Sequence, residues 1–320
     1  MTGQAVIKYP WIRCLVLLLM AYAVFISPLY AQEMSRLETD EVVVLCEPSL
    51  RPSAEASIAW YSQIKPYLES IFLWQIDFRP IIILIGERAA FQRMAGHRSY
   101  VAYVIPDKQL IVIDDSRMNE EAFSREATLK HELCHLVLHR YISPENLPKW
   151  LDEGISQWVS DGMADIVYQR TSSLLTQAAM SNSLLSMESI SSSFPQDDKR
   201  LELAYEQSKS LIDYIINTYG KNGILNILEA LRKGSDINNA VQVSLMLSVE
   251  ELEQRWQKDQ QGLPALLSFF SIHLYTLLFV LAALLTLVLY IRLLVRKRSL
   301  MEEEEDLHDN DDQFPPQRVE

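Results

Sequence analysis

The sequence predicts an α+β domain, because strand-like segments fill the first part of its central body and helical spacing fills the rest, without the alternation of a parallel α/β sheet. At 49% apolar over 320 residues, the chain can bury a full core in one or two domains. A long uncharged apolar run follows the helical part, so this body leads into a membrane.

The first element is apolar. "CLVLLLMAYAVFI" (Cys14 to Ile26) follows Lys8 and Arg13 and precedes Pro28 and "LYAQ", the layout of a secretory signal over residues 1–31 with Gln32 first after cleavage. The body is therefore expected at residues 32–262. Its strands are "EVVVLCE" (Glu41 to Glu47), "RPIIILIG", and "YVAYVIPDKQLIVID", which reads as two strands joined at "PDKQ" by Pro106 and Asp107. A helical segment, "SAEASIAWYSQIKPYLESIF", lies between the first two. Helices are expected from about Asn119 onward. The serine-rich stretch Thr171 to Asp198 interrupts them, as an irregular loop with short helical pieces or as a lid.

The second apolar run, Leu266 to Ile291, has only His273 as an ionisable group and exceeds the ~20 residues that a bilayer crossing takes. Arg292, Arg296, Lys297 and Arg298 follow at once, which puts residues 292–320 in the cytoplasm and the body outside, in a periplasm if the envelope is Gram-negative. Retention of the first segment would leave that topology unchanged. The net charge of −13 argues against a nucleic-acid partner, since phosphate binding needs clustered Lys and Arg. Much of that charge sits in "MEEEEDLHDNDD" (Met301 to Asp312), read as a solvated, disordered extension open to a cytoplasmic partner. Cys46 and Cys134 remain in the body, and two buried free thiols are expected in place of a disulfide framework.

"TLKHELCHLVLHR" (Thr128 to Arg140) carries the chemistry. On a helix, His131 and His135 stand one turn apart on one face and can reach one cation. Glu132 lies about 100° around the helix, where it can take a proton from metal-bound water without being a ligand. The bland reading is a satisfied pair of core histidines. Against it, Leu129, Leu133, Leu136, Val137 and Leu138 make the helix apolar nearly all round, and buried ionisable groups need strong partners such as zinc. His139 lies eight residues after His131, roughly 12 Å along the axis and out of reach, so it is expected at the helix C-terminus against unpaired carbonyls.

A hydrolytic zinc needs a third protein ligand and one open position. Ser143, Pro144, Asn146 and Pro148 break the first helix, and "LPKWLDEGISQWVS" begins a second. Glu153 and its rival Asp152 both lie near its start, in an antiparallel pair that faces the histidines. Gly154 favours Glu153, by leaving room for close backbone approach. Cys134 is read as packing, because a thiolate ligand would fill the position that water needs.

The runs "LKHELCHLVLH" and "LPKWLDEGISQWV" resemble the gluzincin metallopeptidases, most closely the peptidase MA-like group, with a further likeness in "LAYEQSKSLIDYIINTYGKNGILNILEALRKG" (Leu203 to Gly234). The likeness runs in outline over residues 40–258 and is specific in these three blocks. It implies a zincin-like fold with the active-site helix under an edge strand, one zinc on His131, His135 and Glu153, Glu132 as general base, and hydrolysis of a protein or peptide substrate. It also brings the block with Tyr205 to the site, as candidate donor to the oxyanion. The substrate backbone would pair with an exposed edge strand, "YVAYVIP" or "QLIVID". One departure stands out: thermolysin-like relatives carry an aspartate four residues after the ligand glutamate, where this chain has Gln157. The competing readings are a catalytically silent relative that binds in the groove and a membrane adaptor, for which the acidic tail is the main argument.

Overall fold

The structure, a computed structural model, describes residues 34–96, 100–118, 124–160, 174–261 and 263–311. The expected signal peptide and Asn119 lie outside them. The chain divides into two compact units, one ending at Gln257 and one starting at Lys258.

The first unit opens with a five-stranded mixed sheet. Strand β1 (Ser35–Glu38) runs antiparallel to β2 (Val43–Cys46), whose residues Val43 to Cys46 lie parallel to Ile81 to Leu84 of β3 (Ile81–Ile85). Between β2 and β3 the chain crosses over through helix α1 (Arg51–Phe72), the connection that parallel strands require. Helix α2 (Arg88–Ala95) follows β3, and then β4 (Ala102–Ile105) and β5 (Leu110–Asp114) form the expected antiparallel hairpin through residues 106–109. The sheet order is β1-β2-β3-β5-β4. Strand β5 is therefore enclosed between β3 and β4, and β4 is an edge. Of the two strands that sequence left open for substrate pairing, only "YVAYVIP" has a free edge.

Period-2 burial sets the core side of the sheet. Val44, Cys46, Ile82, Leu84, Ile111 and Ile113 are fully buried, while Ile81, Ile83 and Ile85 between them are only half-buried. α1 turns Ala54, Tyr61, Ile64 and Leu68 inward at helical spacing and packs against β1 and β2. Helix α3 (Arg125–Tyr141), whose first turn is capped by the Ser124 hydroxyl accepting from Ala127 N, lies beside α1 and beneath β4.

The remainder is helical: α4 (Lys149–Val159), α5 (Leu174–Met180), α6 (Asp198–Tyr219), α7 (Lys221–Arg232), α8 (Ile237–Leu245) and α9 (Val249–Gln260). The described part of the serine-rich stretch is α5 followed by turns docked on neighbours. Ser191 O and Ile190 O accept from Lys149 N and Trp150 N at the start of α4, and Gln207 of α6 exchanges two hydrogen bonds with the Leu185 backbone, each 2.8 Å. Both cysteines of the body are buried and free, as expected.

The second unit holds α10 (Leu263–Asp311), with the apolar stretch Leu274–Arg298 long enough to cross a membrane and overlapping the expected span. The helix continues as far as Asp311 into the acidic block that composition assigned to a disordered extension. Met, Glu and Leu are strong helix formers, and they propagate a helix already nucleated by the apolar run.

Helices α4 and α6 pack closely at Gly154. A Cβ on Gly154 would stand 2.5 Å from Ser208 O and 2.7 Å from Ile212 Cγ1, so the glycine serves a backbone-to-backbone approach of two helices. We expect Gly154→Ala to destabilise the chain by about 1–3 kcal/mol in denaturant unfolding, although alanine is the better helix former, because overpacking outweighs propensity. An unchanged or raised stability would show that α6 yields without cost.

Candidate metal centre

The site is the seam between α3 and α4. Capping at Ser124 fixes the register of α3, and its buried face presents His131 and His135 edge to face, ring centroids 4.7 Å apart and planes at 80°. Pro148 ends the connection and starts α4, which brings Asp152 and Glu153 over in its first turns. All five ionisable residues, His131, Glu132, His135, Asp152 and Glu153, are buried.

Three of them converge. The Nε2 atoms of His131 and His135 are 3.1 Å apart, and Glu153 Oε2 is 3.5 Å from each. Ligands held about 2.0–2.1 Å from a tetrahedral zinc stand roughly 3.3–3.4 Å from one another, so this triangle already has the size that a cation needs. Glu153 Oε2 is also buried with no hydrogen-bond donor, which is costly unless a cation takes its place. Two neutral imidazoles and one carboxylate are a donor set that suits zinc. Among the described residues this is the group able to hold a metal ion, and Cys134 is not part of it. Burial raises the Cys134 thiol's pKa strongly, as fits a packing role.

The rival ligand Asp152 has a different position from the one sequence allowed it. Its Oδ1 accepts from His135 Nδ1 at 2.6 Å, which turns the Nε2 lone pair of that ring inward. Its Oδ2 accepts from His139 Nε2 at 3.2 Å. His139 does lie in the last turn of α3, as expected, but its side chain is on Asp152. The orienting carboxylate therefore precedes Glu153 by one residue. Gln157, which stands where the thermolysin-like aspartate would be, donates instead to Tyr205 O at 3.2 Å and ties α4 to α6. His131 Nδ1 faces Ser160 Oγ at 3.5 Å, and that hydroxyl donates to Ser156 O.

Electrostatics follow from burial and pairing. Burial disfavours a charge on His135, yet the Asp152 and Glu153 carboxylates overcome it and push the ring up to about 10. Burial likewise opposes ionisation of Asp152, but His135, His139 and Lys149 hold it far below the usual carboxylate range. Glu153 is held well below its usual value by Lys149 and the two histidines, again against burial. Glu132 goes the other way: burial raises it, against the pull of His131 and His135.

Lys149 is the residue that sequence reading passed over. Its ammonium lies 2.7 Å from Glu153 Oε1, an i,i+4 pair that the spacing alone could have flagged. Tyr205 is half-buried on α6, with its ring edge-on to Phe194 at 5.1 Å and its backbone carbonyl held by Gln157.

A family model described as the peptidase MA superfamily matches residues 91–261, from α2 through α9. No curated protein matches the chain.

If Asp152 fixes the ring of His135, Asp152→Asn should weaken zinc retention about 10–100-fold in competition with a chelator, while the helical circular dichroism stays that of the wild type. Equal retention would show that His135 is oriented by other groups.

Proposed function

Because the chain belongs to the peptidase MA superfamily, we propose that it is a zinc metallopeptidase, anchored in a membrane by α10, that hydrolyses peptide bonds of a protein or peptide substrate. The observation that carries this reading is the convergence of two imidazole nitrogens and one carboxylate oxygen on a single point, with a further buried carboxylate next to them in sequence.

His131, His135 and Glu153 would hold one zinc, leaving one position open. Bound there, zinc would polarise the scissile carbonyl and bring the pKa of its water towards about 7. Glu132 is the general base in this reading. Its carboxyl stands in the field of His131, His135 and Glu153, and burial makes it a better proton acceptor than an exposed glutamate. It would take the proton of the attacking water and pass it to the leaving amine. Asp152 keeps His135 in the tautomer that presents Nε2.

Tyr205 is the proposed donor to the tetrahedral oxyanion. Gln157, one turn beyond Glu153 on α4, donates to the Tyr205 carbonyl, which brings this part of α6 beside α4. The free edge of β4, with α3 packed beneath it, would bind the substrate backbone as an added strand. The arrangement in the cell follows from charge. Arg292, Arg296, Lys297 and Arg298 would keep the acidic C-terminal segment in the cytoplasm with any partner it has, and residues 32–262 would work on the other side.

The test compares the full-length chain in detergent, loaded with zinc, with Glu132→Gln on a mixed pool of unfolded proteins and peptides. Cleavage by the wild type, reduced about 10²–10⁴-fold in the variant at unchanged zinc content, is the expected result. Zinc bound at one per chain without cleavage by either would favour the silent, groove-binding alternative.

A further inference from the structure

Lys149 opens α4, and its ammonium reaches both carboxylates of the next turn: Nζ is 2.7 Å from Glu153 Oε1 and 3.6 Å from Asp152 Oδ2. The two oxygens of Glu153 are thereby divided. Oε1 holds the ammonium, while Oε2 lies between the histidine rings, 3.5 Å from both Nε2 atoms and without a hydrogen-bond donor. An i,i+4 lysine–glutamate pair on an exposed helix face contributes little and calls for no further explanation. This pair differs, because the side chains of Glu153 and Asp152 are only 6% and 4% exposed, whereas that of Lys149 is 38% exposed. The lysine reaches from solvent into a buried, acidic site.

Resting on the zinc reading above, we propose that Lys149 is a positioning residue of the metal centre, which holds Glu153 to coordination through Oε2 alone and by its charge weakens the grip of the site on a divalent cation.

The physical case has two parts. A carboxylate can meet a cation through one oxygen or two, and a charge-assisted hydrogen bond to Oε1 disfavours the two-oxygen mode, because the ammonium would have to give up its partner. The position thus kept clear is the one that water and substrate need. The second part is repulsion. A dication held on Glu153 Oε2 would feel the ammonium that lies 2.7 Å from Oε1 of the same carboxylate, and buried charges are poorly screened by salt. The ammonium also offsets one of the negative charges of Asp152 and Glu153, so the pair presents less net charge to the metal. Lysine suits this task better than arginine, whose planar fork would engage both oxygens of Glu153 and compete for the ligating one.

The sign of the effect separates this proposal from a merely structural role. If Lys149 only braced α4, its loss would loosen the site and weaken metal binding. On the proposal, its loss tightens binding. Full-length wild type, Lys149→Met and Lys149→Gln, all in detergent at one pH, are titrated with zinc against a chelator and with cobalt(II) under visible absorption. Both neutral variants should bind zinc about tenfold more tightly than the wild type. Their cobalt bands should weaken, because a second oxygen of Glu153 raises the coordination number above four. Equal or weaker zinc affinity in the folded variants overturns the charge effect, and an unchanged cobalt spectrum overturns the division of the two oxygens. If one variant fails to fold, the other decides. A wild-type chain that takes up neither metal overturns the zinc reading itself, and this inference with it.

Discussion

Two histidines and three carboxylates are buried together between α3 and α4, and the fold has to compensate that charge. It does so pairwise. Asp152 is shared by His135, His139 and Lys149, and Glu153 takes Lys149 on one oxygen. Glu153 Oε2 is left without a hydrogen-bond donor, with the two Nε2 atoms 3.5 Å away. A cation at that point would complete the arrangement, so the proposed metal would neutralise buried charge at the same residues that would ligate it.

The rest of the body keeps that seam fixed. α3 is buried along most of its length beneath the sheet, and α4 is held from behind by α6 at the Gly154–Ser208 approach and by Gln157 on the Tyr205 carbonyl. The turns after α5 hold the first residues of α4 through backbone bonds to Lys149 and Trp150. A helix so anchored at both ends can present Asp152 and Glu153 with little freedom, which is what a preorganised site needs. The sheet contributes its open edge at β4.

Local signals made much of this legible in sequence. Alternation and the turn residues Pro106 and Asp107 located the hairpin of β4 and β5, and the spacing of His131, Glu132 and His135 put the chemistry on one helix. Long-range geometry was not legible. The sheet order, which leaves β4 open and encloses β5, depends on which strands meet after the crossover through α1, and no residue in either strand states that. The same limit affected Asp152. Sequence brought it to the seam and favoured Glu153 as the carboxylate that faces the rings, but gave Asp152 no role on His135 Nδ1, because adjacent positions on α4 differ by rotation about an axis whose orientation only packing sets. Gly154 carried a correct signal of close approach, although the neighbour is α6.

The central claim is a mononuclear centre made by His131, His135 and Glu153. Zinc K-edge X-ray absorption on the full-length chain, loaded at one zinc per chain, tests it most directly. The account predicts a first shell of nitrogen and oxygen alone at about 2.0–2.1 Å, with outer-shell scattering from two imidazole rings. Sulfur at about 2.3 Å, which would bring in Cys134, or scattering from a single ring, would contradict it.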